Sequence, residues 1–199
     1  MRIVKSLAPW TPWIAFLIIA QGSMERLRGA LVVALVLVIV LAALKLFCGV
    51  LMWAALLFFA GALIAVFGLH NTWILQHLGV IANVMLATGA WGSLAVGKPF
   101  TLDYARAHTD PSTWNNPVFL KVNRLITTAW AVAFTVNTAL ALAMTRHLVS
   151  APLGLALTFA GLIGASVFSS WYPNRIRRAA ASNGLTSVVL NDDGNAGQR

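Results

Sequence analysis

Gly29-Ala-Leu-Val-Val-Ala-Leu-Val-Leu-Val-Ile-Val-Leu-Ala-Ala-Leu44 runs without a single charged or amide side chain. A helix of this composition has no polar face to turn toward water. Crossing about 30 Å of hydrocarbon takes roughly 20 helical residues, and comparable apolar runs stand on both sides of this one. Leu7 to Met24 is the weakest, holding Pro9, Pro12 and Gln21. Both prolines fall in or before its first turn, where a missing N–H costs least, and Trp10 and Trp13 stand where interfacial anchors belong. The remaining runs are Val50 to Leu69, Trp73 to Val96, Leu125 to Met144 and Gly154 to Tyr172, with Pro152 opening the last and Pro173-Asn174 closing it. The spacing predicts an all-α, polytopic transmembrane bundle of six spans: 7–24, 29–44, 50–69, 73–96, 125–144 and 154–172.

Composition says the same. Of 199 residues 59% are hydrophobic and 10% charged, with mean hydropathy +0.81. A soluble domain carries roughly 25% charged residues, so the surplus apolar surface needs lipid. The net charge of +9 would suggest nucleic acid in a soluble protein. Here the basic residues flank apolar runs, so anionic headgroups and membrane orientation are their partners, and no nucleic acid is expected. Cys48 is the single cysteine, which excludes an intrachain disulfide and a cysteine metal cluster; it reads as a small packed hydrophobe. Residues 1–180 read as one transmembrane domain. Residues 181–199, rich in Ser, Asn, Gly and Asp, read as a disordered cytoplasmic tail.

With six spans, one side collects Arg2, Lys5, Lys45, Lys98, Arg106, Lys121, Arg124, Arg175, Arg177, Arg178 and Arg199, and the other only Arg26, Arg28 and Arg146. The positive-inside rule makes the first side cytoplasmic and places both termini there. Without the first crossing the contrast weakens. Met1 to Gly22 also has the layout of a signal peptide, with a small-residue site at Ala20-Gln21-Gly22, but two prolines and two tryptophans at the front of its core argue against cleavage.

The polar chemistry is concentrated in the cytoplasmic loop 97–124. It is too long for a tight connection and too apolar for a free linker. Phe100, Leu102, Tyr104, Trp114, Val118, Phe119 and Leu120 are placed to dip into the headgroup layer while Lys98, Arg106, Lys121 and Arg124 meet phosphates. Lys98, Pro99, Phe100, Asp103, Arg106, Trp114, Lys121 and Arg124 form the candidate interaction loop, an interfacial amphipathic segment. Its plainer reading is an anchor with local ion pairs, Asp103 with Arg106 if that stretch is helical. Asn116 can cap a helix that begins at Pro117 and continues into the fifth span.

Asn123, Thr127, Trp130, Phe134, Asn137 and Ala141 fall three or four residues apart on one face, which must look into the bundle because amides and hydroxyls go unsatisfied in lipid. Asn123, Thr127, Trp130 and Asn137 are thus a candidate intrabundle polar face, and Asn83 should turn inward likewise. Gly89, Ser93 and Gly97, and Ala156, Ala160 and Gly164, form small-xxx-small seams suited to close packing within the chain or across a dimer. Lys45 sits at a helix end and can snorkel. His70 and His77 bracket the loop between spans three and four rather than facing each other at haem-ligand depth. Metal-ligand, Ser-nucleophile and phosphate-loop motifs are missing, so no cofactor and no catalytic residue are expected. An interfacial enzyme would have to work through Asp103, His108 and Asp110.

The break at His70-Asn71, the span ending in Lys98-Pro99, the segment bearing Trp114, and Asn123 leading into a span with Trp130-Ala131-Val132 and Phe134 resemble the intracellular septation protein A family of bacterial inner-membrane proteins. The resemblance covers about two-thirds of the chain in layout, from residue 70 to 172 most clearly, and a handful of residues in identity. The Gly97-Lys98-Pro99-Phe100-Thr101-Leu102 opening and the Asn/Asp/Gly tail depart from the family pattern. It implies a non-enzymatic inner-membrane role in envelope maintenance or cell division, with envelope-synthesis membrane proteins or a second copy as partners. The alternative is a small transporter or channel for a neutral or weakly polar solute along Thr127 and Asn137.

Overall fold

The computed structural model describes residues 11–19, 24–46, 49–69, 72–106 and 109–182. Trp10, Cys48, His70, Asn71, His108, the Ala20-Gln21-Gly22 site and the tail from residue 183 lie outside them. The described residues are helical with short connections and contain no strand. In chain order the helices are α1 (Thr11–Ile19), α2 (Met24–Ala43), α3 (Val50–Leu63), α4 (Thr72–Gln76), α5 (Leu78–Ala95), α6 (Thr101–Arg106), α7 (Pro117–Thr145) and α8 (Ala151–Ser182). Helix α3 continues as a π-helical turn over Ile64–Gly68. Five helices, α2, α3 with its π turn, α5, α7 and α8, are long and apolar enough to cross a membrane. The chain is a multi-pass membrane protein.

Packing follows chain order. Helix α5 lies most extensively against α7; α7 pairs with α8, α1 with α2, α2 with α3, and α3 with α5. Lipid tails are as apolar as the helices, so association rests on close packing and interhelical hydrogen bonds. Both occur at α5. A Cβ added at Gly89 would lie 3.2 Å from Val50, so only a small residue allows that approach of α3 and α5. On another face Trp91 Nε1 donates to Thr135 Oγ1 of α7 at 3.1 Å. Helix α8 is the least enclosed, with 11% of its apolar window buried.

Several helix boundaries differ from the sequence reading for identifiable reasons. The fourth run is broken at His77, whose ring Nδ1 shares the Trp73 carbonyl at 2.8 Å with the backbone and stacks on the Trp73 indole at 4.3 Å. Pro173 does not end α8, which runs through it to Ser182. The group that Pro173 leaves without a helical N–H is Ser169 O, and membrane helices tolerate such a proline in their interior; on either side Asn174 Nδ2 donates to Ser170 O at 2.9 Å and Ser170 Oγ to Val167 O at 2.9 Å. Three spans stop in left-handed turns. Lys45 (φ 55), Gly97 (φ 71) and His147 (φ 57) follow α2, α5 and α7, and the next residues' amides, of Leu46, Lys98 and Leu148, reach back five residues at 2.9 Å. This arrangement satisfies the last carbonyls of a helix.

Trp13 is no interfacial anchor. It stacks on Phe58 at 5.2 Å and lies 4.9 Å from Phe59, with Phe16 edge-on to both rings. Phe58 and Phe59 sit midway along α3, so the nine residues of α1 occupy the depth between the bundle's middle and the end where α2 begins.

Candidate functional site at the basic end of the bundle

Lys45, Lys98, Arg106, Lys121, Arg124, Arg175, Arg177 and Arg178 gather at one end, where α2 and α5 finish, α7 starts and α8 finishes. The loop between α5 and α7 is folded there. Gly97 turns the chain, Ser93 Oγ accepts the Phe100 amide at 3.2 Å, and Phe100 and Leu102 are buried at 4% and 6% exposure. These two side chains therefore pack into protein, not into the headgroup layer as their sequence suggests. Pro99 is buried beside them, and Lys98 is exposed.

Helix α6 is then tied to α7. Thr101 Oγ1 donates to the Asn123 carbonyl at 3.0 Å and lies 2.8 Å from Thr127 Oγ1. Asn123 turns its own Nδ2 to Phe119 O at 2.9 Å. Asn116 caps α7 as expected, its side chain accepting the Val118 amide at 2.8 Å with Pro117 at the first helical position. One helix of 29 residues follows, about 44 Å at 1.5 Å per residue, so the loop's last turn and the span are one rigid piece.

Asp103 and Arg106 share α6 but do not pair. The Asp103 carboxylate lies against Gly49, at the N-terminus of α3, where the helix dipole favours an anion. Gly49 has φ +78, and a Cβ there would fall on the carboxylate. The Arg106 guanidinium sits over the Trp114 ring at 5.4 Å, and its buried Nε has no hydrogen-bond partner among the described residues. Trp114 Nε1 in turn donates to Thr109 O at 3.4 Å. Asp110 caps the short 3₁₀ turn Pro111–Thr113, accepting the Ser112 amide at 2.9 Å. That bond, then one from the Ser112 hydroxyl, holds its pKa below the ordinary carboxylate value. Asp110 is thus spent on a cap and Asp103 lies apart from it at Gly49.

The polar face of α7 is buried as the spacing predicts: Asn123, Thr127, Trp130, Phe134, Asn137 and Ala141 all point inward. Trp130 Nε1 donates to Ser169 Oγ of α8 at 2.9 Å, and Ser169 Oγ donates to Ala165 O at 2.7 Å. Asn137 is fully buried, yet neither its Nδ2 nor its Oδ1 has a partner among the described residues; Gly161 of α8 lies beside its Oδ1. Asn83 is only half-buried and bonds its own helix, Nδ2 to Gly79 O at 2.9 Å. Of the seams, Gly89 and Ser93 face inward, Gly97 terminates α5, and Ala156, Ala160 and Gly164 are exposed.

Between the folded loop, the first turns of α7 and the last turns of α8 lies a cavity of about 690 Å³. Leu51, Phe100, Val122, Ile126 and Trp130 give it an apolar floor. Thr109, Thr113, Asn116, Ser166, Ser169, Ser170 and Arg177 supply polar groups. Among the described residues, Arg177 is the only charged side chain in its lining. The contribution of α8 is missing from the sequence reading. Its signal was present as Ser166, Ser169, Ser170, Pro173 and Arg177, a polar stripe at helical spacing concealed by Pro173, which reads as a stop. No family model matches this chain, and no curated protein or solved structure matches it.

Proposed function

We propose that this protein is a non-catalytic component of the bacterial inner membrane that serves envelope maintenance or cell division, acting through the folded segment 97–124 at its basic end. The observation that carries this reading is the Thr101–Asn123–Thr127 hydrogen-bonded junction, which fixes the loop on α7 and makes it a wall of a cavity rather than a tether. Arg106 on Trp114 and the exposed Lys98, Lys121 and Arg124 present a cationic rim suited to anionic headgroups and to an acidic partner surface. The topology that goes with it is six spans with both termini cytoplasmic. The nine described residues of α1 cover about 14 Å, half a crossing, and the apolar Leu7, Ala8 and Trp10 precede them. Envelope-synthesis membrane proteins or a second copy are the partners this reading names.

The transport reading is less well supported. Its key residue, Asn137, lies two turns deeper than Trp130, the deepest α7 residue of the cavity, and Thr127 is engaged by Thr101. The two are separated by in-cell photo-crosslinking from the exposed position 115, with Trp114→Ala and Asn123→Ala as variants. Crosslinks to membrane proteins that both substitutions reduce severalfold, with insertion unchanged, support the proposal. Unchanged crosslinking in both variants, or solute flux in liposomes that depends on Asn137, contradicts it.

A further inference from the structure

The cavity at the basic end is shaped for one class of ligand. About half of its named lining is apolar, with Phe119, Val122, Ile126, Trp130 and Ile176 among those residues. At 690 Å³ it falls within the range of small-molecule sites, about 300–1,000 Å³. Charge in the lining is one-sided. Arg177 projects from α8, and among the described residues no carboxylate lines the space and Arg177 has no ion-pair partner. Of the acids in the described residues, Asp103 is held at Gly49 and Asp110 caps its turn. Glu25 lies at the opposite end, in the first turn of α2.

The other donors of the lining are neutral. Asn116 spends its Oδ1 on the Val118 amide, which leaves its Nδ2 hydrogens, while the Ser166 hydroxyl lies about three turns deeper along α8 than Arg177. Depth completes the description. Trp171 and Tyr172 lie one turn or so before Arg177, and the Arg175 guanidinium covers the Trp171 ring at 5.2 Å. Aromatic rings followed by arginines mark the boundary between hydrocarbon and headgroups. A cation at that boundary, above an apolar floor and below a polar cap, matches a molecule with an anionic head and an acyl chain.

We propose that the cavity between segment 97–124, α7 and α8 is a binding site for a single phosphate-bearing anionic lipid, its head at Arg177 and Asn116 and its chain against Ile126 and Trp130. This rests on the reading that segment 97–124 is the working part of the molecule, and it names the ligand of that part. A lipid is favoured over a soluble phosphate compound because a free phosphate makes no use of the apolar floor.

The test uses the full chain in nanodiscs of equal phosphatidylglycerol and phosphatidylcholine, with bound lipid counted by native mass spectrometry after release. One retained phosphatidylglycerol per chain, preferred at least about fivefold, is expected, since one interfacial Arg is worth about 1 kcal/mol toward an anionic headgroup. Arg177→Gln should abolish the preference, Arg177→Lys should keep most of it, and Arg178→Gln, outside the lining, should leave it intact. A preference unchanged in Arg177→Gln, or lost equally in Arg178→Gln, overturns the site. Displacement of the lipid by millimolar glycerol phosphate or inorganic phosphate overturns the lipid as its source. Because Arg177 is exposed, the wild-type elution profile and thermal midpoint are expected in each variant. Crosslinking from position 115 is scored separately: no lipid preference with crosslinks intact refutes this site alone, and the reverse refutes the partner reading alone.

Discussion

Asn137 and Gly49 show how much a single position decides here. Asn137 is a fully buried amide without a partner among the described residues, and such a group costs about 1–3 kcal/mol of desolvation. Asn137→Leu, close to it in volume, is therefore expected to leave stability unchanged or raise it, read as the thermal midpoint of purified protein; a large drop would show that the amide is engaged. Gly49 is the reverse case. Its φ of +78 and the Asp103 carboxylate beside it both exclude a side chain. Gly49→Ala should lose about 1–3 kcal/mol from the backbone alone, with more from displacement of α6. Asp110 sets a pH dependence. Its folded pKa is lowered by the Ser112 bonds, so its contribution is present above the unfolded carboxylate range, about pH 4, and is lost as pH falls through the folded value. Proteolytic nicking within 109–116 should accordingly stay flat from pH 7 to 5 and rise only in acid. Asp110→Asn, which keeps an acceptor oxygen, should flatten that rise.

Among the elements, α7 was the most legible from sequence, and α8 the least. Every residue assigned to the buried face of α7 is buried, because a 3.6-residue period of amides and hydroxyls in a membrane helix admits one orientation. Its start was legible too, since Asn116-Pro117 encodes a cap chemically. The loop is less legible. Phe100 and Leu102 are apolar in either environment, and only the Ser93 hydroxyl, one turn before a left-handed glycine, reveals that the chain folds back onto protein. Helix α8 reads as ending at Pro173 because proline is a strong stop in water, whereas a membrane helix tolerates it in its interior. At this scale Thr101→Val is the informative change. It removes both hydroxyl contacts to α7 and should cost about 1–2 kcal/mol, seen as faster proteolysis of segment 97–116 with the spans still protected.

For the molecule as a whole, composition settled the class and charge asymmetry proposed the orientation, while depth and enclosure required three dimensions. The first helix illustrates the difference: Trp13 reads as a surface anchor by position, yet its ring sits at mid-depth on Phe58 and Phe59. The functional reading depends on one structural statement, that segment 97–124 is folded into the basic end of the bundle instead of lying in the headgroups. Site-directed spin labelling from 98 to 106, in lipid and with Cys48 replaced, tests it most directly. Low collision rates with both oxygen and a water-soluble nickel reagent at positions 100 and 102, beside high nickel accessibility at 98 and 103, are predicted. High oxygen accessibility at 100 and 102, the pattern of side chains in lipid, would contradict it.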